Sequence, residues 1–308
     1  MEDYNKIIES LGVKYRRGKN IKILQSTKVE NHYDVENYIL LLHDGEISFG
    51  DGTEVVEKGD MLFIPGGKQS TIWYGNNAEE NIINNEEFIS NKDQYFEANE
   101  DATLVGKLPT SFSYVAFESK VFDSISFFAS LDIPPFIISN NAGLARIVKE
   151  VVVESLGDMP GKSRMVHLKT EQIAVEIIRY ILKNNMFVER LATNSTYFKD
   201  PRLIDIFNYI KEYLGGDLSN KVLASVANVS EDYVGQYFKM LTGINPQDYI
   251  EYQRMEKAVH MLRTSNKSIR EIGSEVGYKD TAYFCRRFKM MFGIPAGKMR
   301  RRDSLMNV

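Results

Sequence analysis

The pattern of apolar positions changes character along this chain of 308 residues. Between residues 20 and 75, apolar and β-branched residues fall in short runs: Ile21–Leu24, Tyr38–Leu42, Glu46–Phe49, Glu54–Val56, Met61–Ile64 and Thr71–Tyr74. Turn formers such as His43-Asp44-Gly45, Gly50-Asp51-Gly52 and Lys58-Gly59-Asp60 separate them. Short strands punctuated this regularly predict an antiparallel barrel or sandwich. The Asn- and Glu-rich stretch from Asn76 to Asp101 predicts a long loop, and Val115–Phe128 adds further strands.

From Ala142 the period becomes helical. Leu144, Ile147, Val148, Val151 and Val152 share one face, and after a turn at Gly157–Gly161 so do Val166, Ile173, Ile177, Ile178 and Ile181. Such a helical pair either caps the sheet or buries a face against a second copy of the chain. Asn184–Lys199 has little apolar pattern and reads as a linker. The remainder reads as roughly seven helices between 201 and 302. Asp200-Pro201 and Asn245-Pro246 place a cap before proline at the first helical position. Ser268 and Glu271 have the spacing of a capping box, and Gly215-Gly216, Gly243 and Gly293 stand where helices end.

Charge sharpens this division. The whole chain carries a net charge of −4. From Lys199 onward, however, 18 Lys and Arg stand against 13 Asp and Glu, whereas residues 1–198 hold 20 against 29. Between Cys285 and Arg302 the basic residues Arg286, Arg287, Lys289, Lys298, Arg300, Arg301 and Arg302 have no acidic residue among them. A stripe of this kind supplies the sequence-independent part of DNA affinity; a solvated tail is the plainer reading of charge alone. The single cysteine, Cys285, excludes an intramolecular disulfide and a multi-cysteine zinc site. No run of about 18 apolar residues and no leader-like h-region occurs, so a cytoplasmic protein without a membrane partner is expected.

Two segments of the helical region repeat one another. Val229–Ile244 and Tyr278–Ile294 share a tyrosine (Tyr233, Tyr283), a Phe-Lys-Met (from Phe238 and Phe288) and a Gly-Ile (from Gly243 and Gly293) at an offset of 50. Each follows a short helix, Asn220–Ala227 or Ile269–Val276, with a small residue, Ala224 or Gly273, where helices must approach. A turn at Asn228 or Gly277 comes next, then a helix capped by Ser230 or Asp280. These are the mechanics of a helix-turn-helix, twice over. Tyr233, Phe238, Tyr283, Phe284 and Phe288 are expected to pack inward, leaving Asp232, Gly235, Gln236 and Lys239 outside on one helix and Thr281, Ala282, Cys285, Arg286 and Lys289 on the other.

Residues 200–302 resemble the DNA-binding domain of the AraC/XylS family, most specifically through IREIGSEVGYKDTAYFCRRFKMMFGIPAGKMR (Ile269–Arg300), with Arg254, Ala258 and Leu262 matching the family's linker helix. Gly273 in place of the usual Ala, Gln236 where Arg is common, and the absence of an aromatic-Arg ending after Gly297 are departures. The resemblance implies two helices entering adjacent major-groove segments of double-stranded DNA. Base-edge candidates are Asp232, Gln236, Thr281, Ala282, Cys285 and Arg286. Arg286 suits a guanine edge and Gln236 an adenine edge. Phosphate candidates are Ser230, Lys239, Lys289, Arg300 and Arg301. RNA polymerase is the further partner that it implies, and activation the regulatory sense.

The acidic half resembles cupin-like regulatory domains through Lys58–Gly67 and the helical pair. Lys68-Gln69-Ser70 stands where many cupins carry a histidine ligand, and His32 and His43 lack a His-x-His spacing. No metal or cofactor is expected, and a metal-dependent cupin enzyme is the disfavoured alternative. A barrel without metal still encloses a small effector; Tyr38, Phe63 and Trp73 are its candidate lining residues, among aromatics that otherwise serve as plain core. The expected architecture is α+β. A cupin-like β-barrel with a helical pair (1–185), dimerising through those helices, leads by a linker (186–199) to an all-α domain (200–302). In that domain two helix-turn-helix motifs are joined by a long helix.

Overall fold

The longest strands are Leu11–Ile23 (β1), Thr27–Tyr33 (β2), Asn37–Asp44 (β3), whose Ile39–Leu42 run is buried on both faces, and Ser111–Val121 (β10). Shorter ones are Ile47–Phe49 (β4), Glu54–Val56 (β5), Met61–Ile64 (β6), Gln69–Tyr74 (β7), Ile82–Asn84 (β8), Phe96–Asn99 (β9), Ile125–Ser126 (β11) and Phe136–Ile138 (β12), and Tyr4–Glu9 (α1) and Phe127–Ser130 (α3) are short helices. The computed structural model describes residues 4–76, 81–121, 125–131, 133–187, 200–242 and 245–304. It divides into two compact units, one spanning Ser10–Val188, the other Met1–Glu9 with Glu189–Val308.

In the first unit the strands form two sheets. One runs β12-β6-β3-β10-β1-β9 with β11 beside β10; the other runs β5-β4-β7-β2-β8. Pairing is antiparallel except between β2 and β8. Ile21, Ile23, Leu40, Leu42, Leu62, Ile64 and Phe112 of the first sheet meet Val29, Ile47, Phe49, Ile72 and Tyr74 of the second in one buried cluster. Helices Ala142–Leu156 (α4) and Lys162–Lys183 (α5) lie against the first sheet's other face, where Ile39, Leu41, Phe63, Val115 and Phe117 are buried. There Ser155 Oγ donates to the carbonyl of Gly18 at 3.2 Å. The apolar stripes seen in the sequence are the buried faces of this helical pair.

The expected loop at 76–101 is largely ordered structure. It holds β8, β9 and a helix, Asn85–Tyr95 (α2), whose Asn84 and Glu87 form a capping box. The sequence reading passed over it because an almost wholly polar helix has no apolar stripe; its cap was the legible signal. Most of β1 and all of β2 were likewise missed, since Lys, Arg and Asn occupy many of their outward positions. Residues 188–199, most of the expected linker, lie outside the described residues. Among the described residues no helix is long and apolar enough to cross a membrane.

Candidate nucleic-acid interface

From Pro201 onward the described residues of the second unit form seven helices: Pro201–Glu212 (α6), Asn220–Ala227 (α7), Glu231–Thr242 (α8), Pro246–Thr264 (α9), Ile269–Glu275 (α10), Thr281–Phe292 (α11) and Ala296–Ser304 (α12). Their ends follow the sequence signals. Asp200 caps α6, accepting from the Arg202 amide, and the Arg202 guanidinium holds its carboxyl at a pKa of about 2. Ser268 and Glu271 form the capping box of α10, Asp280 caps α11 through the Tyr283 amide, and Gly293 ends it at φ 72°. Both inter-helix turns use a left-handed backbone, at Asn228 (φ 53°) and Gly277 (φ 96°). Gly243 lies outside the described residues.

The helices α8 and α11 place equivalent residues alike. Val234 and Phe238 of α8, and Phe284 and Phe288 of α11, are completely buried. Spaced four apart, they set the phase of each helix. Gln236, Lys239 and Asp232 are exposed on α8, as are Arg286, Lys289 and Ala282 on α11, with Gly235, Thr281 and Cys285 half-buried at the margin. Two residues expected inside are outside: Tyr233 is 44% and Tyr283 47% exposed. Each precedes a buried residue by one position, a rotation of about 100°, so helical phase prevails over aromatic character. Met240 and Met290, both 62% exposed, complete these faces. The sequence reading missed them, although phase counted from the phenylalanines places them outside. On α11 a cleft of about 550 Å³ is walled by Cys285, Arg286, Lys289 and Met290, and the Arg286 guanidinium lies 5.8 Å from the Tyr283 ring centre.

The long helix α9 fixes one motif against the other. Arg254 donates through Nε to the Leu214 carbonyl (3.0 Å) and through Nη2 to that of Gly216 (2.9 Å), both ahead of the first motif. The same guanidinium lies over Tyr278 in the second motif's turn and against Gly277, where a Cβ would approach it to 2.8 Å. One turn earlier on α9, Glu251 accepts from Arg287 Nε and Nη2 and, at 3.4 Å, from the Tyr278 hydroxyl. This pairing raises the Arg287 guanidinium's pKa further and commits that residue to structure. Arg300, expected on phosphate, donates to the Lys267 carbonyl and ties α12 to the loop before α10. The side chain of Arg301 lies outside the described residues. Ser230 stands exposed just ahead of α8, its carbonyl accepting from the Tyr233 and Val234 amides.

Residues 223–302 match the family model described as a helix-turn-helix domain. The matched residues lie within the C-terminal unit and hold both inter-helix turns. The chain is 31% identical over 94 residues to the MmsAB operon regulatory protein of Pseudomonas aeruginosa, covering 30% of this chain and 31% of that protein. It is 26% identical over 125 residues to the transcriptional activator RhaS of Enterobacter sp., covering 41% and 43%. The chain thus spans less than half the length of either curated relative. These names are those of regulators and not of enzymes. The structure of ToxT from Vibrio cholerae is similar in fold, with a TM-score of 0.51 at 11% identity over 96% of this chain and 98% of that one.

The aromatic trio in the other unit is not brought together. Tyr38 faces the space between the sheets, beside Tyr114, and its hydroxyl donates to Asp34 Oδ2 at 2.5 Å. Phe63 is on the opposite face, packed on Phe117, Phe128 and Phe136. Trp73 alternates with the inward Ile72 and Tyr74 and lies outside, where Lys28 covers its ring at 5.1 Å. A strand presents successive side chains to opposite faces, so these three line no common cavity. His43 Nε2 is 2.7 Å from Ser113 Oγ, and burial together with nearby Lys149 lowers its pKa to about 4. Among the described residues no three or more His, Cys, Asp or Glu are grouped to hold a metal ion.

Proposed function

We propose that this chain is a sequence-specific, double-stranded-DNA-binding transcription regulator in the cytoplasm. The observation that carries the reading is the pair of exposed faces on α8 and α11. Both are held in the same phase by buried phenylalanines, and they present Gln236, Lys239, Arg286 and Lys289 outward. Arg286 donates to a guanine edge and Gln236 to an adenine edge in successive major-groove segments, while Lys239 and Lys289 meet phosphate. Asp232, Thr281, Ala282 and Cys285 lie beside them as further base-edge candidates, with Ser230 at the backbone. Arg300 donates to the Lys267 carbonyl through Nη2 and has further N–H groups for the backbone.

The N-terminal unit, 1–185 in this reading, acts as sensor. Its cupin-like sandwich takes a small effector between the sheets, beside Tyr38 and Tyr114. The helical pair caps the first sheet and also joins two copies: α5 leaves Met165 (41%) and Leu168 (42%) exposed three positions apart on its outer face. Residues 186–199 link it to the DNA-binding domain, 200–302. Activation is the regulatory sense, as for the transcriptional activator RhaS, and it proceeds through contact with RNA polymerase. Effector control requires differing affinity for two states of the protein. The test is selection of genomic fragments by the full chain, followed by titration of the selected duplexes across salt concentration. Saturable, salt-dependent binding to a common sequence is the expected result. Absence of binding to any duplex at low salt refutes the proposal.

A further inference from the structure

We infer that the operator contains one short core twice, about one helical turn apart, and that residues 236 and 286 are the pair that tells the two copies apart. The inference rests on the DNA-binding reading above. It starts from the equality of the two exposed faces. Each helix spans 12 residues, and at the offset of 50 the outer positions read Asp232, Tyr233, Gln236, Lys239, Met240 against Ala282, Tyr283, Arg286, Lys289, Met290. Tyrosine, lysine and methionine are common to both. Their exposures match in pairs, 44% with 47% and 62% with 62%, so the shared residues stand equally far out of the fold.

Three shared outward side chains at the same helical positions offer DNA the same contacts. The tyrosine ring and the methionine are apolar partners for a thymine methyl group, and the lysine is a phosphate partner. The difference is concentrated at the centre of each face. Gln236 presents an amide that matches the adenine N6/N7 edge; Arg286 presents a fork that matches guanine O6/N7. Because 236 and 286 are equivalent in the repeat, they read the homologous base pair in the two copies of the core. Asp232 against Ala282 is the second difference. A carboxylate beside the groove accepts from a cytosine amino group or repels phosphate, whereas a methyl does neither.

The spacing of the copies is fixed by the protein. Arg254 bonds the carbonyls of Leu214 and Gly216 ahead of the first motif while covering Tyr278 of the second. Gly215 lies so close to the Glu275 carbonyl that a Cβ there would come within 2.4 Å of it. Glu251 holds Arg287 and Tyr278 from the same helix. Two motifs joined through Arg254 and Glu251 of one helix, and by the direct backbone approach of Gly215 to Glu275, do not adapt to a variable gap. A single period of about 10 base pairs between homologous positions is therefore expected.

The test is selection of binding sites by the full chain from a randomised duplex library, for the wild type, Gln236→Arg and Arg286→Gln. Wild type is expected to select two related cores in a fixed spacing, with adenine at a given position of one and guanine at that position of the other. Gln236→Arg turns the adenine to guanine, and Arg286→Gln turns the guanine to adenine, each leaving the other core unchanged. Preference for the new base over the old is expected to reach roughly tenfold or more. Two unrelated cores, a single core, a variable gap, or substitutions that alter affinity without exchanging a base at one position would each overturn the inference. Selection of no sequence at all by the wild type would instead overturn the DNA-binding reading. Both substitutions fall on exposed positions, and the reciprocal pair gives two independent readings.

Discussion

Gly215→Ala puts a number on how tightly the two helix-turn-helix motifs are joined. The added Cβ would stand 2.4 Å from the Glu275 carbonyl oxygen, where real Cβ contacts essentially never fall below 3.0 Å, so the loop and the end of α10 must separate by about 0.6 Å or more. The obstacle is backbone and cannot rotate away. Forced insertion of a methyl group into a packed contact costs about 1–3 kcal/mol; the reduced freedom of the unfolded alanine chain returns roughly 0.4–1 kcal/mol of it. A net loss of about 1.3 kcal/mol follows from the middle of these ranges, confined to the C-terminal unit. Gly297→Ala is the matched control, since its Cβ meets nothing within 4 Å. It is expected to be neutral or to gain up to about 1 kcal/mol from helix propensity. Trp73, the single tryptophan, sits in the N-terminal unit. Its fluorescence reports that unit alone, while circular dichroism is weighted toward the helical C-terminal unit. Urea titration read by both signals should move only the helical transition in Gly215→Ala. Wild-type stability in Gly215→Ala, or equal losses in Gly215→Ala and Gly297→Ala, would refute the close approach.

Other outcomes follow from the same geometry. Arg286→Ala should cost about 1–3 kcal/mol at one base pair and relax the choice there, whereas Lys289→Ala should weaken all duplexes alike and lower the slope of log affinity against log salt by about 1; equal, uniform loss in both, measured by anisotropy across single-base variants, contradicts this division. Phe288→Ala, at a completely buried position, should destabilise the helical transition by about 3–5 kcal/mol, and a loss below 1 kcal/mol would show that the phase assigned to α11 is wrong. Burial lowers the His43 pKa to about 4 from 6.5. The unfolded state therefore binds the proton first, and stability falls as pH drops from 6.5 toward 4, then levels. Tracked by Trp73 fluorescence, the difference between wild type and His43→Gln should shrink over that window by up to about 3 kcal/mol, and an unchanged difference from pH 7 to 4.5 would contradict it.

What the sequence made legible divides along physical lines. Caps and periodic apolar stripes are local, so the helices from Pro201 onward and the pair α4 and α5 were readable from spacing alone. The repeat was readable too, because Phe238 and Phe288 stand in matching surroundings. Which side a tyrosine takes is set by phase rather than by its type, and Tyr233 and Tyr283 were misplaced for that reason. Most of β1 and all of β2 escaped notice because many of their outward residues are charged, and their pairing with β10 and β7 is a non-local fact. The fate of Arg300 was likewise invisible: only the fold brings the Lys267 carbonyl, 33 positions away, to its guanidinium. The candidate effector trio failed because strand parity, once the true strands are known, sends Tyr38 and Phe63 to opposite faces.

The unequal charge of the two exposed faces bears on how the complex forms in time. Arg286 and Lys289 carry α11 toward a polyanion, while Glu231 and Asp232 open α8 with like charge to phosphate. Attraction acts over a Debye length, before any base edge is within reach. On the proposed DNA-binding reading, the second motif is expected to land first and the first to engage only where the Gln236 amide finds its base. Charge changes on α11 should then act chiefly on the association rate, and changes at Gln236 on the lifetime of the complex.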